Sequence, residues 1–258
     1  MADLTIRPLS SVDDVRAAAS LFDRIWGERR VVGAPLLRAL AAHGGQVLGA
    51  FQNDEMVGAQ VGLIGLGESG PLLHSHITGV APEVQHQGVG FRLKLAQREW
   101  CLERGIDTVS WTFDPLVARN ARFNLHKLGA VAVRFHRDYY GPMYDAFNRG
   151  DRSDRLEVHW ELRTPRVEAA CAGPVPERSG EVAVLLGEKD GWPEPQRGSG
   201  GPPLSVRVPL DYHGLREDEP AAAAAWRDAV ADALETAFAD GLRGGDFTRQ
   251  GAYVLEPT

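Results

Sequence analysis

Hydrophobic positions change period several times along the chain, and each change marks an element. Leu4, Ile6 and Pro8, with polar residues between them, predict a first strand. Ser10 or Ser11 can cap a helix with Asp13 and Asp14 in its first turn, and Val15, Ala18, Phe22 and Ile25 then recur at helical spacing up to a stop near Gly27. A shorter helix is predicted from Pro35 to about Ala42, since proline suits a first turn and Gly44 and Gly45 suit an exit. From Gln46 the period becomes strand-like. VLGAF, a turn at Asn53-Asp54-Glu55, MVGAQVGLIGL, a Gly and Ser break at residues 67 to 70, and LLHSHITGV predict an antiparallel meander.

A helical pattern follows. Val89, Leu93, Ala96 and Trp100 form one apolar stripe, Phe91, Leu95 and Leu102 widen it, and Arg92, Lys94, Arg98 and Glu99 fall outside it, with Gly105 at the exit. Val109, Trp111 and Phe113 then alternate with polar residues in a strand ended by Asp114-Pro115. Residues 116 to 128 predict another helix stopped by Gly129, and VAVRFHRDYYG and LEVHWEL predict two more strands. The order is strand, two helices, three strands, helix, strand, helix, two strands, filling residues 4 to 163. Beyond Pro165 the composition shifts. VAVLL, LSVRVPL and AYVL are strand candidates, and residues 187 to 203 predict a flexible Gly/Pro loop. An Ala-rich helix runs from about Pro220 to Asp240, with Trp226, Val230, Leu234 and Phe238 on one side. The expected class is α+β: a mixed, mostly antiparallel sheet flanked by helices in residues 1–163, and a small α+β extension in 164–258 that packs on it.

A hydrophobic content of 43% supports a real core in a chain of 258 residues. The net charge of −7, with no run of Lys or Arg, argues against nucleic acid or an anionic membrane as partner. MADLTIRPLS lacks the apolar core of a signal peptide and no stretch approaches a membrane span, so a cytosolic protein is expected. Cys101 and Cys171 are too few and too far apart for a disulfide framework or a zinc site, and Cys101 reads as a small core residue. His74-x-His76 would need further ligands, with His86 and Asp114 conceivable, and no metal is expected.

The chemistry concentrates in residues 74 to 105, where a strand, a glycine-containing turn and a helix succeed one another. That order makes an anion site, because the first N–H groups of a helix lack intrahelical acceptors and glycines let a phosphate approach the main chain. A Rossmann fingerprint fails, since Leu93 stands where the third glycine is required, and a Walker loop fails for want of Gly-Lys-Ser or Gly-Lys-Thr. Gln85-His86-Gln87-Gly88-Val89-Gly90, preceded by Val80-Ala81-Pro82, resembles the acyl-CoA loop of the GNAT N-acetyltransferase superfamily, and the element order over residues 4 to 163 is the one that fold requires. LKLAQREW, WTFDPLVARNARFNLHKLGA, YYGPMYD and LDYHGL further resemble a bacterial subgroup of predicted acyltransferases with a C-terminal extension.

The resemblance implies a co-substrate, acetyl-CoA or another acyl-CoA, and no metal. Its pyrophosphate would sit on N–H groups from Gln87 through Gly88, Val89 and Gly90 to Phe91, beside Gln85 and His86, with Asn120 a further contact. Its pantetheine arm would run along the strand ending at Val80, where an N–H near Gly79 or Val80 could polarise the thioester carbonyl. His74 and His76 share a strand face and are placed like paired histidines in some members of the family, which makes them candidate general bases; structural hydrogen bonding is the alternative. The tyrosine that many members use as general acid is replaced by Leu125, leaving Tyr140, Tyr139, His126 and Asn120 as candidates in that order. Phe22 and Trp26 either line an acceptor pocket or pack the core, and Arg119 or Arg137 could hold an acceptor carboxylate. His213, His159 and His43 carry no pattern and read as structural. The expected activity is direct transfer of an acyl group to a small-molecule amine such as an amino acid. A non-catalytic CoA-binding module and a protein N-acetyltransferase are the alternatives, and a homodimer is compatible with either.

Overall fold

Local signals act where their chemistry is strongest. The Ser11 hydroxyl accepts from the Asp14 N–H at 3.0 Å, starting helix α1 (Val12–Trp26), and Gly27 ends it. Asn53 and Asp54 both take left-handed φ, 49° and 65°, the pair that a tight hairpin between β2 (Gln46–Gln52) and β3 (Glu55–Gly67) demands. The computed structural model describes residues 4–27, 32–67, 70–141, 150–196 and 201–257. They divide into two units, residues 1–111 with 143–151, and 112–142 with 152–258.

In the first unit, β1 (Leu4–Pro8), β2, β3 and β4 (Gly70–Val80) pair in sequence order, all antiparallel. The start of β5 (Thr108–Phe113) then adds parallel to β4. Helices α1 and α2 (Ala34–Ala42) cover one face through Val15, Ala18, Phe22 and Leu37 on Ala59, Val61 and Ile77. Helix α3 (Val89–Leu102) covers the other through Val89 and Leu93 on Leu48, Ala50 and Val57.

The buried stripe of α3 differs from the expected one. It consists of Val89, Leu93, Lys94, Gln97 and Cys101, while Ala96 and Trp100 are only half-buried. The charge of Lys94 argues for a place outside the stripe. Its ammonium group is instead held by polar partners inside the unit, which a count of apolar residues cannot register.

The second unit contains α4 (Ala118–Ala121), β6 (Val131–His136), β7 (Arg155–Glu161), α5 (Pro165–Ala172), β8 (Ala183–Lys189), β9 (Trp192–Pro195) and β10 (Leu204–Arg207). Then come α6 (Tyr212–Asp218), α7 (Pro220–Ala239), β11 (Leu242–Phe247) and β12 (Ala252–Pro257). Its sheet runs β7-β6-β11-β12-β10-β8-β9. The predicted helix over residues 116 to 128 is wound differently: a single α turn passes into a π-helical stretch at Arg122–Lys127.

The boundary expected at residue 163 falls inside this unit. Gly244 of β11 pairs with Ala132 of β6, and a Cβ at Gly244 would stand 2.8 Å from that of Ala132, so the two strands meet as closely as glycine allows. Helix α7 packs over β6 and β9 alike, its Trp226, Val230 and Leu234 buried as the spacing predicts and Phe238, the fourth residue of that stripe, only half-buried.

The Gly/Pro loop predicted over residues 187 to 203 is structured in its first half. Strand β8 runs to Lys189, Asp190 and Gly191 turn the chain with φ of 52° and 83°, and β9 follows. Glycine and proline there serve a hairpin and its outer strand rather than a linker. Residues 197–200 of that prediction, and Pro142–Asp145 of the YYGPMYD match, lie outside the described residues. Helices α5 and α6 and strand β11 go beyond the elements that the sequence pattern predicts. The LRGGDF of β11 has two glycines and two charges where a strand signal needs alternation.

Candidate active site

At the end of β4 the chain makes a tight passage into α3. Pro82–Val84 form a 3₁₀ turn, with the Val84 N–H donating to Ala81 O at 3.1 Å and the Gln87 N–H to Val84 O at 3.3 Å. His86 and Gly88 are both left-handed, at φ 67° and 82°. Gly88 then caps α3 without a side-chain acceptor, and the Arg92 N–H closes back on its carbonyl at 3.0 Å. A Cβ at Gly88 would meet nothing within 4 Å, so glycine is needed there for its backbone angle and not for space. Gln85, His86 and Gln87 are exposed, Gly90 and Phe91 are half-buried, and Val89 is 1% exposed and anchors the turn in the core. The predicted loop residues therefore form one surface cradle at a helix start, where main-chain N–H groups and the helix dipole favour an anion.

Strand β4 has an irregularity at its centre. Val61 pairs with Ile77 and Gly62 with Ser75, which leaves His76 as the extra residue of a bulge. The bulge breaks the alternation of faces. Ser75 points toward α3 and bonds Lys94, whereas Ile77 and Gly79 face α1. The His74 and His76 rings stand 6.2 Å apart between centroids. His76 is open to solvent, yet the protein around its ring holds its pKa below the usual histidine value by desolvation. His74 is half-buried, its Nδ1 3.4 Å from the Ser110 hydroxyl of β5.

The parallel pairing of β4 with β5 runs from Leu72 and Thr108 to His74 and Ser110. Strand β4 continues to Val80, and among the described residues its pairing beyond His74 is with β3 alone. A stretch of main chain from Ser75 to Val80 is therefore left open on one edge, between the histidines at one end and the glycine turn at the other. Gly79 lies in that stretch under α1: a Cβ on it would stand 2.9 Å from both Ile25 Cδ1 and Trp26 Cζ3. Val80 packs toward α3. Phe22 is fully buried in the core, and Trp26 lies against it at 5.9 Å between centroids.

Behind the open edge is a polar cluster that sequence reasoning missed. Lys94, 4% exposed, donates to the Ser75 hydroxyl at 2.9 Å and to Gln97 Oε1 at 3.0 Å, and its Nζ lies 3.8 Å above the Trp111 ring of β5. Gln97 continues to Gln46 at 2.7 Å. Burial lowers the Lys94 pKa to about 7. The neighbouring Cys101 thiol, buried as expected of a core residue, is pushed up to about 12 by the same cause. The one available signal was a lysine flanked by Leu93 and Leu95 and adjoining the apolar stripe.

The second unit holds the remaining predicted residues. Tyr140, 50% exposed in the turn after β6, has its N–H held by the Ser153 hydroxyl at 2.8 Å; its ring stacks edge-on to Tyr139 at 4.6 Å and lies under Arg155. Leu125 is fully buried. His126 is engaged by Asp246 at 3.0 Å, Asn120 is exposed on α4, and Arg137 is taken by Glu235 and Asp232. Asp114, at the end of β5, receives two hydrogen bonds from Arg227 of α7 at 2.8 and 2.9 Å and caps the Leu116 N–H. His159 and His136 both bond Glu157, which they hold at a pKa of about 2.

Two solved structures align with this chain over nearly their own full length. Ribosomal-protein-S18-alanine N-acetyltransferase from Escherichia coli is 19% identical at a TM-score of 0.51, over 63% of this chain and 96% of that one. A Salmonella typhimurium protein, yncA, assigned as an acetyltransferase and solved with its cofactor acetyl-CoA, is also 19% identical at 0.51, over 62% and 94%. The chain has the GNAT fold. The α+β class and the antiparallel meander leading into a glycine turn, as predicted, are those of this fold. No protein-family model and no curated protein matches the sequence.

Proposed function

We propose that this GNAT-fold protein is an acyl-CoA-dependent N-acyltransferase that transfers an acyl group directly to the amine of a small molecule such as an amino acid. One observation carries the reading: β4 parts from its pairing with β5 at the two histidines and runs, open on one edge, into an unobstructed helix start. The cradle of Gln85 to Phe91 suits a pyrophosphate, and the open edge up to Gly79 and Val80 suits an amide-bearing arm added like a strand.

In this reading a neutral imidazole at His76 or His74 takes the proton of the acceptor ammonium, directly or through water. The depressed His76 pKa keeps that ring neutral at pH 7. The amine nitrogen bonds to the thioester carbon, a main-chain N–H near Gly79 or Val80 supports the developing oxyanion, and the C–S bond breaks. The nitrogen gives up its second proton as the amide forms, the departing sulfur takes one up, and free CoA thiol leaves.

The test is release of free CoA thiol over a panel of acyl-CoAs and amines, with CoA binding measured separately. His74→Ala with His76→Ala is expected to lower kcat by about 10²-fold or more and leave CoA affinity within a few-fold. Unchanged transfer in the double variant would remove the base assignment, and tight CoA binding without transfer by the native chain would make it a binding module.

A further inference from the structure

A fully buried ammonium group without a carboxylate partner is costly, and proteins keep such groups where they do something. Lys94 is one: its hydrogen-bond acceptors are the Ser75 hydroxyl and the Gln97 amide, both neutral, and the face of Trp111 and the Cys101 thiol lie beside it. The location of those neighbours is informative. His74 and Ser110 are the last pair of the β4–β5 ladder, and Ser75 and Trp111 are the next residue on each strand. Lys94 reaches both from α3, the helix whose first turn is the glycine cradle. A single side chain thus joins the two strands where their main-chain pairing ends, and links them to the helix that would hold the pyrophosphate.

We propose that Lys94 is a positioning residue of the acyl-CoA seat, tying Ser75 of β4 to Trp111 of β5 at the first unpaired step and so fixing how far the strands part. This rests on the acyl-CoA reading of the site. The hydrogen bond to Ser75 sets β4 from behind, and a cation over an indole face holds Trp111 at a defined distance. The bulge at His76 makes this possible, because it turns Ser75 toward α3 while Ile77 faces α1. Lys94 touches no reacting atom in this arrangement. Its effect is on the open edge from Ser75 to Val80, which the pantetheine arm would line.

Lys94→Met keeps the length and the apolar stem and removes the charge and the donors; Ser75→Ala removes the acceptor alone, and Ser75→Thr retains it. In the unliganded protein, hydrogen exchange of the amides from Ser75 to Val80 is expected to speed up several-fold in Lys94→Met and Ser75→Ala, and to stay near native in Ser75→Thr. Exchange in α1, on the opposite face of the sheet, should not change. With acetyl-CoA as the probe, KM for the thioester should rise about 5- to 10-fold in the first two variants, while KM for the amine stays constant. The double variant should be no worse than either single one. Native exchange on the Ser75–Val80 edge in Lys94→Met, or additive effects of the two substitutions, would overturn the proposal. Should Lys94→Met not fold, Ser75→Ala against Ser75→Thr decides the same question. The exchange result holds without any ligand, so failure of acetyl-CoA to bind the native chain would count against the function and not against the strand tie.

Discussion

Replacing Lys94 by Met should make stability depend differently on pH, in a direction that follows from the burial of the amine. In the unfolded chain this lysine holds its proton up to about 10.5, and in the folded chain only up to about 7. Between those values the unfolded state binds one proton more than the folded state. Stability of the native chain therefore rises with pH across this window, by about 1.4 kcal/mol per pH unit for a full proton. Below pH 7 both states are protonated and the destabilisation is present in full. Lys94→Met has no such dependence, so its stability relative to the native chain should fall by about 2–3 kcal/mol from pH 7 to pH 9. The substitution also strands the Ser75 hydroxyl and the Gln97 amide oxygen, a pH-independent loss of about 1–3 kcal/mol per group, so the slope is diagnostic and the offset is not. Other titrating groups cancel in the difference. Cys101, pushed up to about 12, stays neutral throughout the folded state over this range. Urea denaturation at pH 7, 8 and 9 with constant ionic strength and a constant m-value gives the measurement. Parallel stability curves for the two proteins would refute a neutral or titrating buried amine.

Three further outcomes follow from the geometry. Asp114→Asn should destabilise by about 3–5 kcal/mol, because it removes the carboxylate charge that balances Arg227 at 7% exposure, and adding Arg227→Met should recover most of that loss in a denaturation cycle. Glu157, held at about 2 by His159 and His136, adds stability that is complete above its unfolded value near 4.5 and is lost as pH falls toward 2; acid unfolding of Glu157→Gln should lack that component. Gly79→Ala places a methyl 2.9 Å from both Ile25 and Trp26, and thermal unfolding should report a loss of about 1–3 kcal/mol from overpacking.

The first unit was legible because its signals are local. A serine cap, a left-handed Asn-Asp turn and strand-like apolar runs between turn residues marked α1 and the β2–β3–β4 meander nearly to the residue. The loop from Gln85 to Gly90 was found by its glycines, and the structure accounts for Gly88 by a positive φ. Lys94 and Ser75 were hidden because their contact joins positions 19 apart in the chain and depends on a bulge, which shifts which face a residue occupies without altering the sequence pattern. The later strands were obscured for a different reason. Strand β11 pairs with β6 across more than 100 residues, and Gly244 serves that close approach while Gly245 sits in a bulge against β12, at the expense of any alternating signal.

Strand β9 is the last in the strand order of the second unit, and its sequence, Trp-Pro-Glu-Pro, determines how that edge meets other molecules. The Gln196 N–H donates inward to Leu185 O, so by alternation Trp192 and Glu194 also turn their main-chain groups toward β8, and Pro193 and Pro195 turn theirs outward. Both outward positions thus lack a donor, and an approaching chain finds carbonyls but no N–H partners for its own. The border is protected against edge-to-edge growth, a form of aggregation resistance written into four residues. Restoring the donors with Pro193→Val and Pro195→Val would turn an inert margin into a template for strand addition.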